Sequence, residues 1–254
     1  MRRFVVLMVV AALATTAWAD WDPIDGHKMH YPQLPDLDGW DIRSTCPDYL
    51  LADDWQCSQT GLVSDIHIWL SSQGDQLEPV DYISAVNVRI YSDIPAAQSP
   101  TGYSMPGAVL REWQFDVGEF TVRPYGQGSQ GWLMPENLEA IDQDHVNIFQ
   151  LNIDPIIVND PFTQNQGEIY WLSVELDKLP GTGDFGWKTS LDHFNDDAVV
   201  NVNGDWTRIW DLQYSPIDPP DDELRSLAFV ITPEPGTMAL LALGGLALLK
   251  RRRS

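Results

Sequence analysis

Apolar and polar residues alternate in short runs along the middle of the chain, and a period of two predicts strands. From Ser64 to Leu70, the residues Ile66, Ile68 and Leu70 share one face, while Asp65, His67 and Trp69 share the other. Between Ile83 and Tyr91, Val86, Val88 and Ile90 point inward, with Asn87 and Arg89 outward. A further run puts Val109, Trp113 and Phe115 on one side. Others span Phe120–Pro124, His145–Ile153, Glu168–Leu176, Phe185–Ser190, Ala198–Val202 and Ser226–Ile231. Pro124 is expected to end its strand, because Pro has no amide to give to the ladder. Helical spacing is nearly absent, and its best candidate is a single turn at Pro135–Glu139. Strands at irregular spacing with turn-rich loops predict an all-β fold: an antiparallel β-sandwich, jelly-roll-like, over residues 45–231. Residues 20–44, punctuated by Pro, Asp and Gly, read as an irregular lead-in.

The two ends follow other patterns. Met1-Arg2-Arg3 precedes an apolar run from Phe4 to Ala14, and Ala17-Trp18-Ala19 stands before Asp20. A charged start, an apolar stretch and an Ala-x-Ala site predict a signal helix over residues 1–19, removed by signal peptidase. At the other end, Met238–Leu249 has no polar residue and Lys250-Arg251-Arg252-Arg253 follows. As a helix that run is about 18 Å long, against the roughly 30 Å of a bilayer core. It therefore predicts transient membrane insertion rather than a lasting anchor, with the Arg cluster on the cytoplasmic side. Pro233-Glu234-Pro235 lies just outside, held extended by its prolines.

Pro-Glu-Pro, an apolar helix and a terminal Arg cluster together resemble the PEP-CTERM sorting signal of environmental Gram-negative-type bacteria. The resemblance covers residues 232–254. It implies an exosortase-type membrane enzyme as processing partner and delivery to the cell envelope surface through the inner membrane. An ordinary tail anchor is the alternative. Segments including Leu51-Ala52-Asp53-Asp54-Trp55, Ser64–Trp69, Gly118–Pro124, Gly186–Ser190 and Leu227–Ile231 resemble an uncharacterised domain of secreted, PEP-CTERM-bearing bacterial proteins. That resemblance implies an extracellular β domain and supplies no catalytic residues.

Charge narrows the partners. The chain carries 15 basic and 37 acidic residues. Six of the basic ones (Arg2, Arg3, Lys250, Arg251, Arg252 and Arg253) lie in the end segments, so the middle holds 9 − 37 = −28. Such a field excludes nucleic acid as a partner and favours solubility and divalent cations. Cys46 and Cys57, close together in an exported chain, predict a disulfide. His27 and His30 have a chelating spacing, but the surrounding prolines exclude the helix that would use it.

Asp36, Asp38 and Asp41 around Gly39 form a fragment of a calcium-loop pattern, with a plain Asx-rich turn as the alternative. A second cluster, Asp192, His193, Asn195 and Asp196, has Trp187 nearby in sequence and reads as a ligand loop or as a solvated one. The chain has 11 Trp, enough for stacked sugar recognition, with Trp69 and Trp171 the strand residues expected to face outward and Trp206 and Trp210 near loops. Core filling is the competing use. A carboxyl pair for glycoside hydrolysis cannot be singled out among so many acids. The sequence thus points to a non-enzymatic, exported cell-surface or extracellular-matrix protein needing no cofactor, calcium aside. Its alternatives are a carbohydrate-binding module contacting extracellular polysaccharide and a secreted glycan hydrolase.

Overall fold

A computed structural model describes residues 21–22, 32–45, 49–153, 161–202, 204–215 and 226–232. The expected signal helix, His27, His30, Cys46, the Pro233-Glu234-Pro235 motif and the C-terminal apolar helix lie outside the described residues. No helix among the described residues is long and apolar enough to cross a membrane.

The strands are β1 (Trp40–Arg43), β2 (Tyr49–Gln56), β3 (Gly61–Leu62), β4 (Asp65–Ser72), β5 (Ile83–Ile94), β6 (Met105–Asp116), β7 (Thr121–Met134), β8 (Glu139–Ile153), β9 (Thr163–Gln164), β10 (Ile169–Lys178), β11 (Phe185–Ser190), β12 (Val199–Val202), β13 (Asp205–Arg208), β14 (Ser226–Leu227) and β15 (Phe229–Thr232). One short helix, α1 (Pro79–Tyr82), precedes β5. The first sheet has the order β14-β11-β1-β7-β8-β4-β15 and the second β13-β12-β2-β10-β5-β6, with β3 and β9 forming a separate ribbon.

The two sheets pack face to face, as the alternation predicts. Ile66, Ile68, Leu70, Phe149 and Leu151 from the first sheet meet Val86, Val88, Leu172 and Val174 from the second in one apolar core. Trp55 of β2 packs edge-on against Phe229 of β15 across the interface, ring centres 6.2 Å apart. Each large buried side chain of this kind contributes roughly 1.5–3 kcal/mol by leaving water.

The first sheet has features that alternation does not encode. β1 pairs with β7 in parallel, although the other strand pairs are antiparallel. β11 pairs with β1 on one side and, through Phe185–Trp187, with β4 on the other. Strands β11, β1, β7, β8 and β4 therefore close a hydrogen-bonded ring. Where β4 and β11 part, the segment from Ser226 to Thr232 is wedged between them. β14 pairs with Thr189 and Ser190, β15 pairs with Asp65–Ile68, and Ala228 between them bonds to both flanking strands.

Several expectations are corrected. Trp40–Arg43 is a strand inside the sheet, not part of an irregular lead-in. β7 runs through Pro124 to Met134, because the register slips between Pro124 and Gly126 and the missing amide falls at that bulge. Pro135–Leu138 is the turn of the β7–β8 hairpin rather than a helix, and Leu138 takes φ 58° there. Cys57 is a free, buried thiol that donates to the Gln59 carbonyl at 2.6 Å. Its expected partner, Cys46, lies outside the described residues.

Candidate functional site

Two clusters of buried ionisable groups stand out, one on each sheet. The first lies on the face of the ring turned away from the sandwich core. Asp41 of β1 and Lys188 of β11 are direct cross-strand partners. Strand alternation sends their neighbours Trp40, Ile42 and Trp187 into the core, so Asp41 and Lys188 point the other way. Both are fully buried, with Lys188 Nζ 3.3 Å from Asp41 Oδ2. The same Oδ2 lies 3.0 Å from His145 Nε2, and His145 Nδ1 lies 3.0 Å from Asp144 Oδ2. Burial alone would depress the imidazole pKa, but hydrogen bonds donated to Asp144 and Asp41 outweigh it and hold the pKa at about 9. Burial also pulls Lys188 below its ordinary value, against the attraction of Asp41.

Trp132 packs edge-on to His145, centroids 5.8 Å apart. Gly186 makes this packing possible: a Cβ there would stand 2.8 Å from the Trp132 ring and 2.9 Å from Asp41 Cβ. Asp41 Oδ1 and Lys188 Nζ are buried with no well-formed hydrogen bond in the structure.

The second cluster surrounds Asp53 and Asp54 of β2. Asp53 faces the sandwich core and accepts from Gln33 Nε2 (2.7 Å), the Leu227 amide (2.5 Å) and the Asp54 amide (2.8 Å). Asp54 faces the opposite side, where Ala52, Tyr91, Trp171 and Val199 form a small apolar patch. Its Oδ2 accepts from Asn195 Nδ2 at 2.6 Å. Asn195 also donates to Ser104 Oγ, and Asp196 accepts from the Ser104 amide and hydroxyl. Burial pushes both carboxyls well above the usual range, and the neighbouring Asp53 adds to the effect on Asp54.

The expected ligand loop is only partly assembled. Asn195 and Asp196 reach the Asp54 cluster. Asp192 instead accepts the Leu34 amide at 3.0 Å, and exposed His193 meets Ser226 Oγ at 3.1 Å. Trp187 belongs to the core and donates to the Ala228 carbonyl. The acidic turn is held by local hydrogen bonds. Asp38 donates its amide to Asp36 Oδ1, an Asx turn, and Asp38 Oδ1 accepts from the Ser129 amide. Asp41 is withdrawn into the ring, and Asp36, Asp38 and Asp41 all act electrostatically on Lys188. Among the described residues, no group of three or more His, Cys, Asp or Glu is arranged to hold a metal ion.

The tryptophans are mostly structural. Trp69 and Trp171, expected outward, are fully buried. Trp69 is covered edge-on by Trp21 and Tyr125, and Trp171 donates to Asp93 Oδ1 at 2.9 Å. Trp206 is half-buried against Tyr91, and Trp210 packs on the core. A shallow groove of about 450 Å³ opens near Tyr125, lined also by Glu78, Gln127 and Asn147.

Sequence reasoning missed Asp53, Asp54, Asp144, His145 and Lys188 as a set. The one available signal was an acidic pair and a lone lysine inside runs that are otherwise strand-like.

Comparison with known families gives two matches. Residues 29–232 match a family described as Domain of unknown function (DUF7901). Residues 232–253 match the PEP-CTERM protein-sorting motif. No curated protein and no solved structure matches the chain.

Proposed function

Since the chain belongs to the DUF7901 family and carries a PEP-CTERM sorting motif, we propose that it is an exported, non-enzymatic protein of the cell surface or extracellular matrix. Its β-sandwich would be the delivered body and its C-terminal segment the address read by an exosortase-type enzyme. The observation that carries this reading is the junction between the two. Thr232 ends β15, buried, with its hydroxyl on Asp65 Oδ2 at 2.9 Å and its carbonyl accepting from Ser64 Oγ at 3.1 Å. The sorting motif match begins at the same residue. Body and address thus adjoin without a spacer, which suits a chain whose folded part is set down directly at the membrane surface.

The buried charges support a structural role over catalysis of an outside substrate. Asp41, Asp53, Asp54, His145 and Lys188 are all covered by the fold, whereas a hydrolase needs its shifted carboxyl in an open cleft. Mass spectrometry of the protein isolated from the native cell surface tests the address. Cleavage near Pro233-Glu234-Pro235 is expected. A chain still ending at Ser254 reduces the segment to a simple anchor.

The groove beside Tyr125 favours a second reading, a carbohydrate-binding role, because it sets an aromatic ring beside a carboxylate and two amides. Glycan-array binding lost in Tyr125→Ala supports it. A blank array removes it.

A further inference from the structure

We propose that Asp41 and Lys188 condense into an intramolecular amide, a covalent cross-link that ties β1 to β11 inside the ring. The inference rests on the buried cluster alone and stands whether or not the sorting reading holds.

Four observations converge on it. The two residues are held opposite each other in register on neighbouring strands. Their reacting groups touch, Nζ to Oδ2 at 3.3 Å, in a site where both side chains are fully buried. A second proton carrier, His145, contacts the same Oδ2 at 3.0 Å and is fixed from behind by Asp144. Lys188 Nζ is left without a well-formed hydrogen bond. An amine that is buried, crowded and poorly solvated is the form that acts as a nucleophile. Backbone pairing holds the amine against the carboxyl group it attacks, which removes much of the entropy cost of bringing the two together.

The step balances. A proton passes from the Lys188 ammonium to Asp41 Oδ2, leaving a neutral amine and a neutral carboxyl. The Nζ lone pair attacks Cγ, forming the C–N bond. His145 donates its Nε2 proton to Oδ2 as the Cγ–Oδ2 bond breaks, and that oxygen leaves as water. The surplus proton on Nζ returns to His145. Oδ1 remains as the amide oxygen, and no oxidant, reductant or cofactor is needed. The driving force lies in burial. An ion pair out of water carries a large desolvation penalty on each partner, and the neutral amide carries none of that charge. Other charged groups facing the pair are Asp36 and Asp38, which act on Lys188 through space. Neither contacts Oδ2 in the way that His145 does.

The test is the intact mass of the exported full chain, unfolded before measurement, followed by a tryptic map. The expected mass is one water molecule short of the mass calculated between the termini that peptide mapping finds. The map should show no cleavage after Lys188 and one branched peptide joining a β1 fragment to a β11 fragment. A full mass, or linear peptides with a free Lys188 side chain, overturns the proposal. Dehydration of an aspartate to a succinimide gives the same mass deficit with linear peptides, and that result also overturns it. Lys188→Arg should restore the full mass; a deficit that persists in this variant overturns it again. If that variant does not fold, the wild-type map decides alone. In chain recovered unfolded from inclusion bodies, before any cross-link has formed, His145→Gln should slow appearance of the mass deficit after the first refolding. An unchanged time course removes His145 from the reaction.

Discussion

The Asp53 carboxylate accepts the Leu227 backbone amide at 2.5 Å, so a side chain of the second sheet serves as hydrogen-bond partner to a strand of the first. Gln33 Nε2 bridges the same two places, donating to Asp53 Oδ2 and to the Leu227 carbonyl. β14 has only two residues and depends on this clasp. Asp53→Ala leaves the Leu227 amide and the Gln33 amide without their buried acceptor. A loss of about 3 kcal/mol is expected from unsatisfied buried donors, read as a lower urea midpoint. Asp53→Asn, which keeps one acceptor oxygen, should lose less.

Asp54 ties the stability of the fold to pH. Its carboxyl is pushed up by burial and by Asp53, so the fold favours the protonated form. For such a group, stability is unaffected below the unfolded pKa of about 4 and declines as pH rises from there through the folded value. Asp54→Asn removes that cost and can still accept from Asn195. The variant should melt as high as wild type at acid pH and higher at neutral pH. A lower melting temperature at neutral pH would count against the assignment.

His145 gives a second pH window with the reverse sign. Its pKa rises from 6.5 to about 9 on folding, so its contribution is fully present below pH 6.5 and is lost as pH climbs through 9. The shift corresponds to about 3 kcal/mol, measurable as a falling urea midpoint between those limits that His145→Gln abolishes. Amide formation at Asp41 removes one of the two carboxylates that hold the imidazolium. The slope should therefore be steepest in folded chains that still show the full, uncross-linked mass.

Gly186→Ala tests the packing around the same cluster. The added methyl would meet the Trp132 ring and Asp41 Cβ inside normal contact distance, and overpacking of this kind costs about 1–3 kcal/mol. Both a lower melting temperature and a displaced Trp132, seen as changed indole fluorescence, are expected.

Trp69 separates core from ligand platform. The ring is fully buried beneath Trp21 and Tyr125. Trp69→Ala should cost about 3–5 kcal/mol of stability. A variant that stays as stable as wild type would return Trp69 to the surface.

Much of the sandwich was legible because one rule, alternation, governs it. β4, β5, β8, β10 and β11 contain the runs that predicted them, and Ile66, Ile68 and Leu70 face the core as their spacing requires. β2 escaped because Asp53 and Asp54 occupy its middle. A buried acidic pair reads as a loop until Gln33, Leu227 and Asn195 are seen to supply its donors. Trp69 and Trp171 were placed on the correct faces, but not seen to be covered. A strand's own sequence does not say what packs above it, and the covers come from Trp21, Tyr125 and the Tyr91–Trp206 side of the fold. Nothing in the sequence pairs Lys188 with Asp41, which lies far away along the chain and meets it only in the ring.

The wedge formed by Ser226–Thr232 sets an order of events. Those residues come after every other strand in the chain, yet they fill the gap between β4 and β11. In a chain crossing a membrane N-terminus first, this segment emerges last. Until it arrives, two strand edges stay unsealed and open to pairing with other chains. Completion of transport and closure of the sheet would then be one event, and a stalled chain would be distinguishable from a delivered one by its open seam.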